Sequence, residues 1–305
     1  MTAPAQFPAS APHGGYQQQQ PQQPQFASQS PVAQTTLGQA VRSEWTKIRT
    51  VRSTVWTLGV MLVLVIGINL LVVVPIDHSN DTSVPVLAPG LFGLILGQLA
   101  IITLGVLVIT SEYGTGMIRT TLTACPQRSR VLTAKAIVFF LLSFVTTTVA
   151  CTITALISWS VMSGKRVSGY DLEDPHPGVV IRDGVTAASG TEWLGATVGV
   201  GLYVALLGLL ALAVGTLLRH SAGAITTMLG VVLLPLLIAI FLPSSLDEAR
   251  NKLVRFSAPN SLASLYHFPM IGEGDQNGLP QLITLACITA VLLGAAYATL
   301  NTRDV

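Results

Sequence analysis

Six long runs of apolar residues, each without a charged side chain at its centre, dominate the pattern along the chain. A helix that crosses the hydrocarbon core of a bilayer needs about 20 such residues. The runs predict six transmembrane helices, at about residues 55–76, 89–110, 136–162, 193–218, 222–242 and 281–301. The expected fold class is therefore an all-α membrane protein.

Composition supports this prediction. Half of the 305 residues are hydrophobic, 10% are charged, and the mean hydropathy is +0.63. An ordinary soluble domain carries about 25% charged residues, so these values argue against a soluble enzyme and a soluble regulator. The three cysteines, Cys125, Cys151 and Cys287, have no paired spacing that would indicate a disulfide framework or a zinc site.

Residues 1–36 form a distinct segment that contains no Lys, Arg, Asp or Glu and is dominated by Gln and Pro. Such a segment has too little apolar surface to offset its chain entropy, so we expect a disordered N-terminal tail. It has neither the basic start nor the apolar stretch of a signal peptide. The remaining residues, 37–305, form the expected six-helix transmembrane domain.

The distribution of Lys and Arg predicts the orientation in the membrane. With the N-terminus inside, the inside segments hold ten Lys and Arg residues and a net charge of +7. The outside segments then hold six, with a net charge of −5. Because cytoplasmic loops carry the excess of Lys and Arg, we expect both termini to be cytoplasmic.

The segment from Leu37 to Arg52 has the pattern of an amphipathic helix that lies on the cytoplasmic membrane surface. At 100° per residue one face collects its apolar positions, which are Leu37, Val41, Trp45, Ile48 and Val51. Lys47 and Arg49 lie off that face, and Trp45 suits the headgroup level. Glu44 falls within the apolar stripe, which leaves two explanations open: a local pair with Lys47, or a contact with another cytoplasmic helix of the bundle.

The loop between the second and third spans, residues 111–135, is the best candidate for binding a partner. Glycines interrupt the start of this loop, and Pro126 interrupts its end. Between the glycines and Pro126, a short helical face carries Met117, Ile118 and Leu122. Such a helix suits docking into a groove of a soluble partner, although a basic loop that serves topology alone explains the composition equally well. The candidate coupling residues are Glu112, Gly114, Met117, Ile118, Arg119, Leu122, Pro126, Arg128, Arg130 and Lys135.

This loop resembles the corresponding loop of type-2 ABC exporter permeases. The resemblance is carried by Glu112, Gly114–Thr115, Leu122, Pro126, Arg128 or Arg130, and Lys135. The run SEWTKIRTVRS at residues 43–53 is similar to the start of actinobacterial members of that family. Together with the six spans, the resemblance extends over about residues 37–305.

The resemblance implies a permease subunit that exports a small molecule, peptide or lipid across the bacterial plasma membrane. The amphipathic helix would be a connecting helix, and the loop after span two a coupling helix that sits in a cleft of a separate ATP-binding subunit. That subunit would bind ATP and Mg²⁺, so no cofactor is expected on this chain. The permease would pair with a second copy or with a related permease, and its surroundings would be lipid, with no nucleic acid.

Several other functions are disfavoured. The chain has no P-loop, no HExxH and no G-x-S-x-G, so we expect neither a catalytic residue nor a metal site. No span core carries the charged residue that an ion-coupled carrier usually needs. The alternatives are a non-transporting membrane anchor or immunity protein and, with less support, a membrane-embedded enzyme. The sequence does not identify a transported substrate.

Three smaller patterns complete the sequence analysis. Gly93 with Gly97, and Gly195 with Gly199, form GxxxG pairs that favour close helix packing, either within one subunit or at a dimer seam. The polar residues inside the spans favour hydrogen bonds between helices over a polar path; they are Asn69, Gln98, Thr146, Thr147, Thr148 and Thr152. Ser245 and Glu248 have the spacing of a capping box, and the resemblance implies helices in this region outside the cell.

Overall fold

The computed structural model describes residues 36–77, 82, 84–117, 127–167, 179–269 and 277–302. Within these residues, six helices are long and apolar enough to cross a membrane. This confirms the expected helical, multi-pass membrane protein. The expected tail, apart from Thr36, lies outside the described residues.

The six long helices are preceded by a short one and interrupted by smaller elements. The short first helix is α1, Leu37–Thr50. The long helices are α2 Arg52–Asp77, α3 Pro89–Gly114, α4 Arg128–Met162, α5 Gly190–Leu218, α6 Ser221–Phe241 and α9 Leu279–Thr302. Between them lie β1 Val180–Arg182, β2 Val185–Ala187, α7 Asp247–Arg255 and α8 Ala258–Leu265.

Successive long helices run in opposite directions, so their connections fall on two sides of the bundle. We call the side that carries α1, the end of α3, the start of α4 and the turn at Arg219 the α1 side. The other side, which carries β1, β2, α7 and α8, is the hairpin side. Arg219 stacks over the ring of Tyr113 on the α1 side, 5.3 Å from its centroid. On the hairpin side, Lys165 Nζ donates to the carbonyl of Ile76 at 2.6 Å.

Helices α3 and α5 form the centre of the bundle, and small residues let them approach closely. A Cβ atom on Gly105 of α3 would lie only 2.5 Å from the carbonyl oxygen of Gly208 of α5. The ring of Phe139 from α4 is fully buried against the same crossing. Any larger residue at either glycine would therefore force these helices apart.

Both predicted GxxxG pairs pack within the chain. A Cβ on Gly93 would overlap the backbone of Val65 in α2, and one on Gly97 would overlap the Val65 side chain. Gly195 and Gly199 face Leu265 at the end of α8 in the same way. The stretch Gly195–Gly199 is a π-helical segment within α5.

The expected hydrogen bonding between helices is found at Asn69, whose Oδ1 accepts from Ser158 Oγ at 2.9 Å and joins α2 to α4. The other predicted polar residues differ. Gln98 donates to a carbonyl of its own helix, as do Thr146 and Thr152. A hydroxyl that bonds its own helix leaves no donor for a neighbour, so Thr146 and Thr152 serve local backbone carbonyls.

The structure contains a small β-hairpin, which the expected all-α fold did not include. Strands β1 and β2 pair antiparallel across a two-residue turn of Asp183 and Gly184, with φ values of 52° and 77°. Two central residues with positive φ are typical of a type I′ turn, for which Asp-Gly is a favoured sequence. The signal was therefore present in the sequence, between the β-branched runs at 179–181 and 185–186.

The expected capping box at Ser245 and Glu248 is wrong. Ser244–Leu246 forms a 3-10 turn, and the N-cap of α7 is Leu246, which makes no side-chain cap. Glu248 accepts instead from Lys252 Nζ at 2.6 Å on an exposed face. Capping boxes do form elsewhere, at Thr36 with Gln39 and at Ser189 with Glu192.

Candidate functional site: a buried ion cluster on the α1 side

Four charged side chains meet where α1 packs against α3 and α4. Glu44 and Lys47 lie one turn apart in α1. Glu112 is two residues from the end of α3, and Lys135 lies two turns into α4. We call these four residues the ion cluster.

The lysines bridge carboxylates on different helices. Lys135 Nζ donates to Glu44 Oε2 and to Glu112 Oε1, each at 2.7 Å. Lys47 Nζ donates to Glu112 Oε1 at 2.5 Å and to Glu44 Oε1 at 3.2 Å. Each ammonium therefore contacts both carboxylates, and the cluster has no net charge when all four groups are ionised.

Burial makes these contacts energetically important. The side chain of Lys135 is fully buried, those of Glu44 and Glu112 are 5% exposed, and that of Lys47 is 31% exposed. A buried charge is tolerated only when it is paired and hydrogen-bonded. Removing one partner of a buried pair costs about 3–5 kcal/mol, because the remaining charge stays in a medium of low dielectric constant.

The environment of Lys47 favours its ammonium form. Burial by itself lowers the pKa of Lys47, but the hydrogen bond from Lys47 to Glu112 and the charges of Glu44 and Glu112 outweigh burial. The pKa of Lys47 is therefore raised above its ordinary value, and the side chain stays charged at physiological pH.

A cavity of about 390 Å³ opens beside the ion cluster. Its walls come from α1, the first turns of α2 and the last turns of α3. Apolar atoms form most of the wall, and the ion cluster contributes to its polar part. The lining residues are Glu44, Lys47, Ile48, Val51, Ser53, Thr54, Thr57, Leu104, Leu107, Val108, Ser111, Glu112, Thr115, Met117 and Lys135.

The structure brings four of the predicted site residues together in the ion cluster. Trp45 and Arg49 are exposed on α1, which suits a helix at the membrane surface. Gly114 and Met117 are exposed at the end of α3, and Arg130 is half-buried near the start of α4. Ile118, Arg119, Leu122 and Pro126 lie outside the described residues, as does the side chain of Arg128.

Two findings at the site were missed by the sequence analysis. Helix α4 begins at Arg128, earlier than the expected start of the span near residue 136, so Lys135 is a helical residue that faces the bundle. The contact of Arg219 with Tyr113 links the turn between α5 and α6 to the end of α3. In the sequence analysis Arg219 is only one of the ten inside Lys and Arg residues.

The local pair expected for Glu44 is present, and Glu44 also contacts a helix other than its own. It pairs with Lys47 in its own helix and with Lys135 in α4. A lone acidic residue in an apolar stripe was the only sequence signal for the ion cluster. The identity of its distant partners depends on the packing of three helices, which periodicity along one helix does not determine.

The residues described hold no group of three or more His, Cys, Asp or Glu side chains arranged to bind a metal ion. Comparison of the chain with protein-family models finds no match, and comparison with curated proteins finds none either.

Proposed function

We propose that this chain is the membrane-spanning permease subunit of an ATP-binding cassette transporter. It exports a small molecule, peptide or lipid across the bacterial plasma membrane, and a separate subunit hydrolyses the ATP. The observation that carries the proposal is the ion cluster, because it joins α1 to both helices that flank residues 115–127. That segment lies within residues 112–135, which carry the resemblance to the coupling loop of type-2 exporters.

The ion cluster suits the transmission of movement. Glu112 lies close to the end of α3, and Lys135 lies close to the start of α4. A displacement of residues 115–127 by a docked ATPase therefore moves both side chains. Their bonds to Glu44 and Lys47 carry that displacement into α1, and the cost of breaking a buried pair keeps these bonds intact during the movement.

The proposed orientation places the α1 side in the cytoplasm, where ATP is available. The excess of Lys and Arg in the segments of that side supports it. Both termini are then cytoplasmic, and α7 and α8 lie outside. Two copies of the chain, or one copy and a related permease, pair with two ATP-binding subunits and move by alternating access.

The test is co-purification of the tagged, full-length chain from the membranes of its own host. A P-loop ATPase is expected to accompany the wild type in comparable molar amount. The double variant Met117→Asp with Leu122→Asp should lose it. Burial of each such side chain contributes about 1.5–3 kcal/mol, so losing both weakens binding by one or more orders of magnitude.

The control is Leu246→Asp, because Leu246 is 51% exposed on the hairpin side, much as Met117 is 49% exposed on the α1 side. This variant should retain the ATPase. Absence of any P-loop ATPase from the wild-type preparation would contradict the proposal and favour the membrane anchor. Retention by a correctly folded double variant would show that the loop is not the docking site.

A further inference from the structure

Helix α1 lies at the level where three membrane-spanning helices begin or end. Its Glu44 contacts Lys135, two turns into α4, and Lys135 also contacts Glu112 near the end of α3. Only Val51 separates α1 from α2, which begins at Arg52. A membrane-spanning helix begins at the layer of lipid headgroups, because its apolar residues fill the hydrocarbon core. The exposed side chains of α1 therefore lie at or near that layer.

The outer face of α2 shows where the headgroups meet this surface. Trp56 and Val63 are 73% and 72% exposed in a membrane-spanning helix, where lipid covers the apolar side chains that the chain leaves exposed. Arg52 is also exposed and precedes Trp56 by four residues, so it lies on the same face, about 6 Å nearer the start of the helix. Tryptophan is typical of the boundary between hydrocarbon and headgroups. The guanidinium of Arg52 is therefore at the level of the lipid phosphates.

A second group of exposed side chains, on α1, combines the same residue types. Arg42, Trp45 and Arg49 are spaced three and four residues apart, so they share one face of the helix, and all three are exposed. Trp45 lies between the two arginines along the helix and is 47% exposed. A tryptophan with basic residues on either side suits the headgroup layer, where the indole reaches the hydrocarbon and the charges face phosphate.

The exposed charges of α1 and of the first turns of α2 are all positive. The acidic residues of these two helices are Glu44, which is buried in the ion cluster, and Asp77, at the opposite end of α2. Arg42, Arg49 and Arg52 form no ion pair with another described residue. Arginines without counter-charges attract anions, and the anions of the headgroup layer are lipid phosphates.

We propose that Arg42, Arg49 and Arg52 bind anionic phospholipid headgroups, with Trp45 and Trp56 beside them at the boundary of the hydrocarbon core. We call these five residues the lipid-binding surface. Its ligand class is phospholipids with a net negative charge, such as phosphatidylglycerol, in preference to zwitterionic phosphatidylcholine. The inference does not depend on the proposed transport function, because it follows from the position of α1 beside the start of a membrane-spanning helix.

The test measures which lipid contacts Trp45, by quenching of its fluorescence with brominated phospholipids. The full-length chain carries Trp56→Phe, Trp159→Phe and Trp193→Phe, so that Trp45 alone reports. It is reconstituted in equal mixtures of phosphatidylglycerol and phosphatidylcholine, of which only one is brominated in each preparation. We expect Trp45 to favour phosphatidylglycerol about fivefold, because an arginine near an anionic membrane surface contributes about 1 kcal/mol.

The matched control is a chain in which Trp159 is the only tryptophan. Trp159 is 46% exposed near the end of α4 on the hairpin side, and no charged residue lies within one turn of it in that helix. It should be quenched equally by the two lipids. Both reporter chains keep all of their arginines, so this comparison stands whether or not an arginine variant folds.

Replacing the arginines tests their charges directly. In the chain that reports from Trp45, Arg42→Gln, Arg49→Gln and Arg52→Gln together should remove the preference for phosphatidylglycerol. Replacing the same three residues by lysine keeps the charges and should keep most of the preference. A melting curve for each variant identifies those that fold.

Four results would overturn the proposal. Equal quenching of Trp45 by the two lipids would show that the arginines do not select anionic headgroups. Quenching by neither lipid would show that water, a second copy or another protein covers this face of α1. An equal preference at Trp159 would make it a property of the whole chain, and a preference that survives in the folded glutamine variant would exclude the arginines. Because no ATPase is present, none of these results bears on the transport proposal, which is tested by co-purification.

Discussion

The two sides of the bundle bury polar groups in different ways. On the α1 side, the ion cluster joins three helices through charged groups that are buried or half-buried. On the hairpin side, α8 is buried along its whole length, but its polar side chains are neutral. Ser264 donates to the carbonyl of Asn260 in its own helix.

This difference has a physical consequence. A buried neutral hydroxyl that bonds its own backbone does not fix the position of a neighbouring helix. A buried ammonium bonded to carboxylates on two helices fixes the relative position of those helices, because moving them apart would leave buried charges unpaired. The hairpin side also has ion pairs, but that of Lys252 with Glu248 lies on the surface, with side chains 70% and 84% exposed. Among the described residues, the α1 side is therefore the side where charged groups hold three helices together.

The largest effect is expected from breaking the ion cluster at its fully buried member. Lys135→Met leaves two carboxylates facing each other with only Lys47 between them. The expected loss is about 3–5 kcal/mol, which corresponds to a fall in Tm of roughly 10 °C. A thermal melt of the purified, full-length chain measures it.

The matched control on the hairpin side is Lys252→Met. It also removes a lysine from an ion pair, but an exposed pair contributes little to stability, so the Tm should stay within error of the wild type. Similar melting curves for the two variants would show that the two sides do not differ in the way described.

A smaller effect of opposite sign is expected from Gln281 on the hairpin side. Its side chain is 2% exposed, and neither its Nε2 nor its Oε1 has a partner among the described residues. Gln281→Met keeps the volume and removes both polar atoms, which should raise stability by about 1–3 kcal/mol. The same change at Gln98 should give less, because Gln98 Nε2 already donates to the carbonyl of Ile95. A fall in Tm for Gln281→Met would mean that this amide is satisfied.

The smallest effect concerns His267, which follows α8. Burial lowers the pKa of His267 below its ordinary value of 6.5, so the folded chain binds this proton less readily than the unfolded chain. The resulting stability is present above pH 6.5 and is lost as the pH falls through the lowered pKa. His267→Asn suits the positive φ of 56° and should flatten the dependence of Tm on pH below 6.5. An unchanged slope of Tm against pH would mean that other groups cause the loss of stability in acid.

The helices could be predicted from the sequence because the membrane imposes a local rule. Each span must be long, apolar and internally hydrogen-bonded, and this is readable from each segment alone. The ion cluster depends on contacts between Glu44, Glu112 and Lys135, which are far apart in sequence. Their residue types were singled out, but Glu112 and Lys135 were assigned to a loop, since charges near the end of a span give no sign of being buried.

The unpredicted hairpin and the wrong capping box also have specific causes. The Asp183–Gly184 turn carried a readable hairpin signal, but its segment was considered only for its contribution to the charge outside. The capping box failed because Ser245 belongs to a 3-10 turn that ends where α7 starts. Spacing alone does not determine which of several polar residues becomes the N-cap.

The most direct test of the central claim compares the two sides by photo-crosslinking. A benzoyl-phenylalanine residue is introduced at Met117 on the α1 side or at Leu246 on the hairpin side, which are similarly exposed. Irradiation in intact host membranes is followed by identification of the crosslinked proteins. We predict that the probe at Met117 captures a P-loop ATPase and that the probe at Leu246 does not. Capture of the ATPase at Leu246, or of none at Met117, would contradict the account.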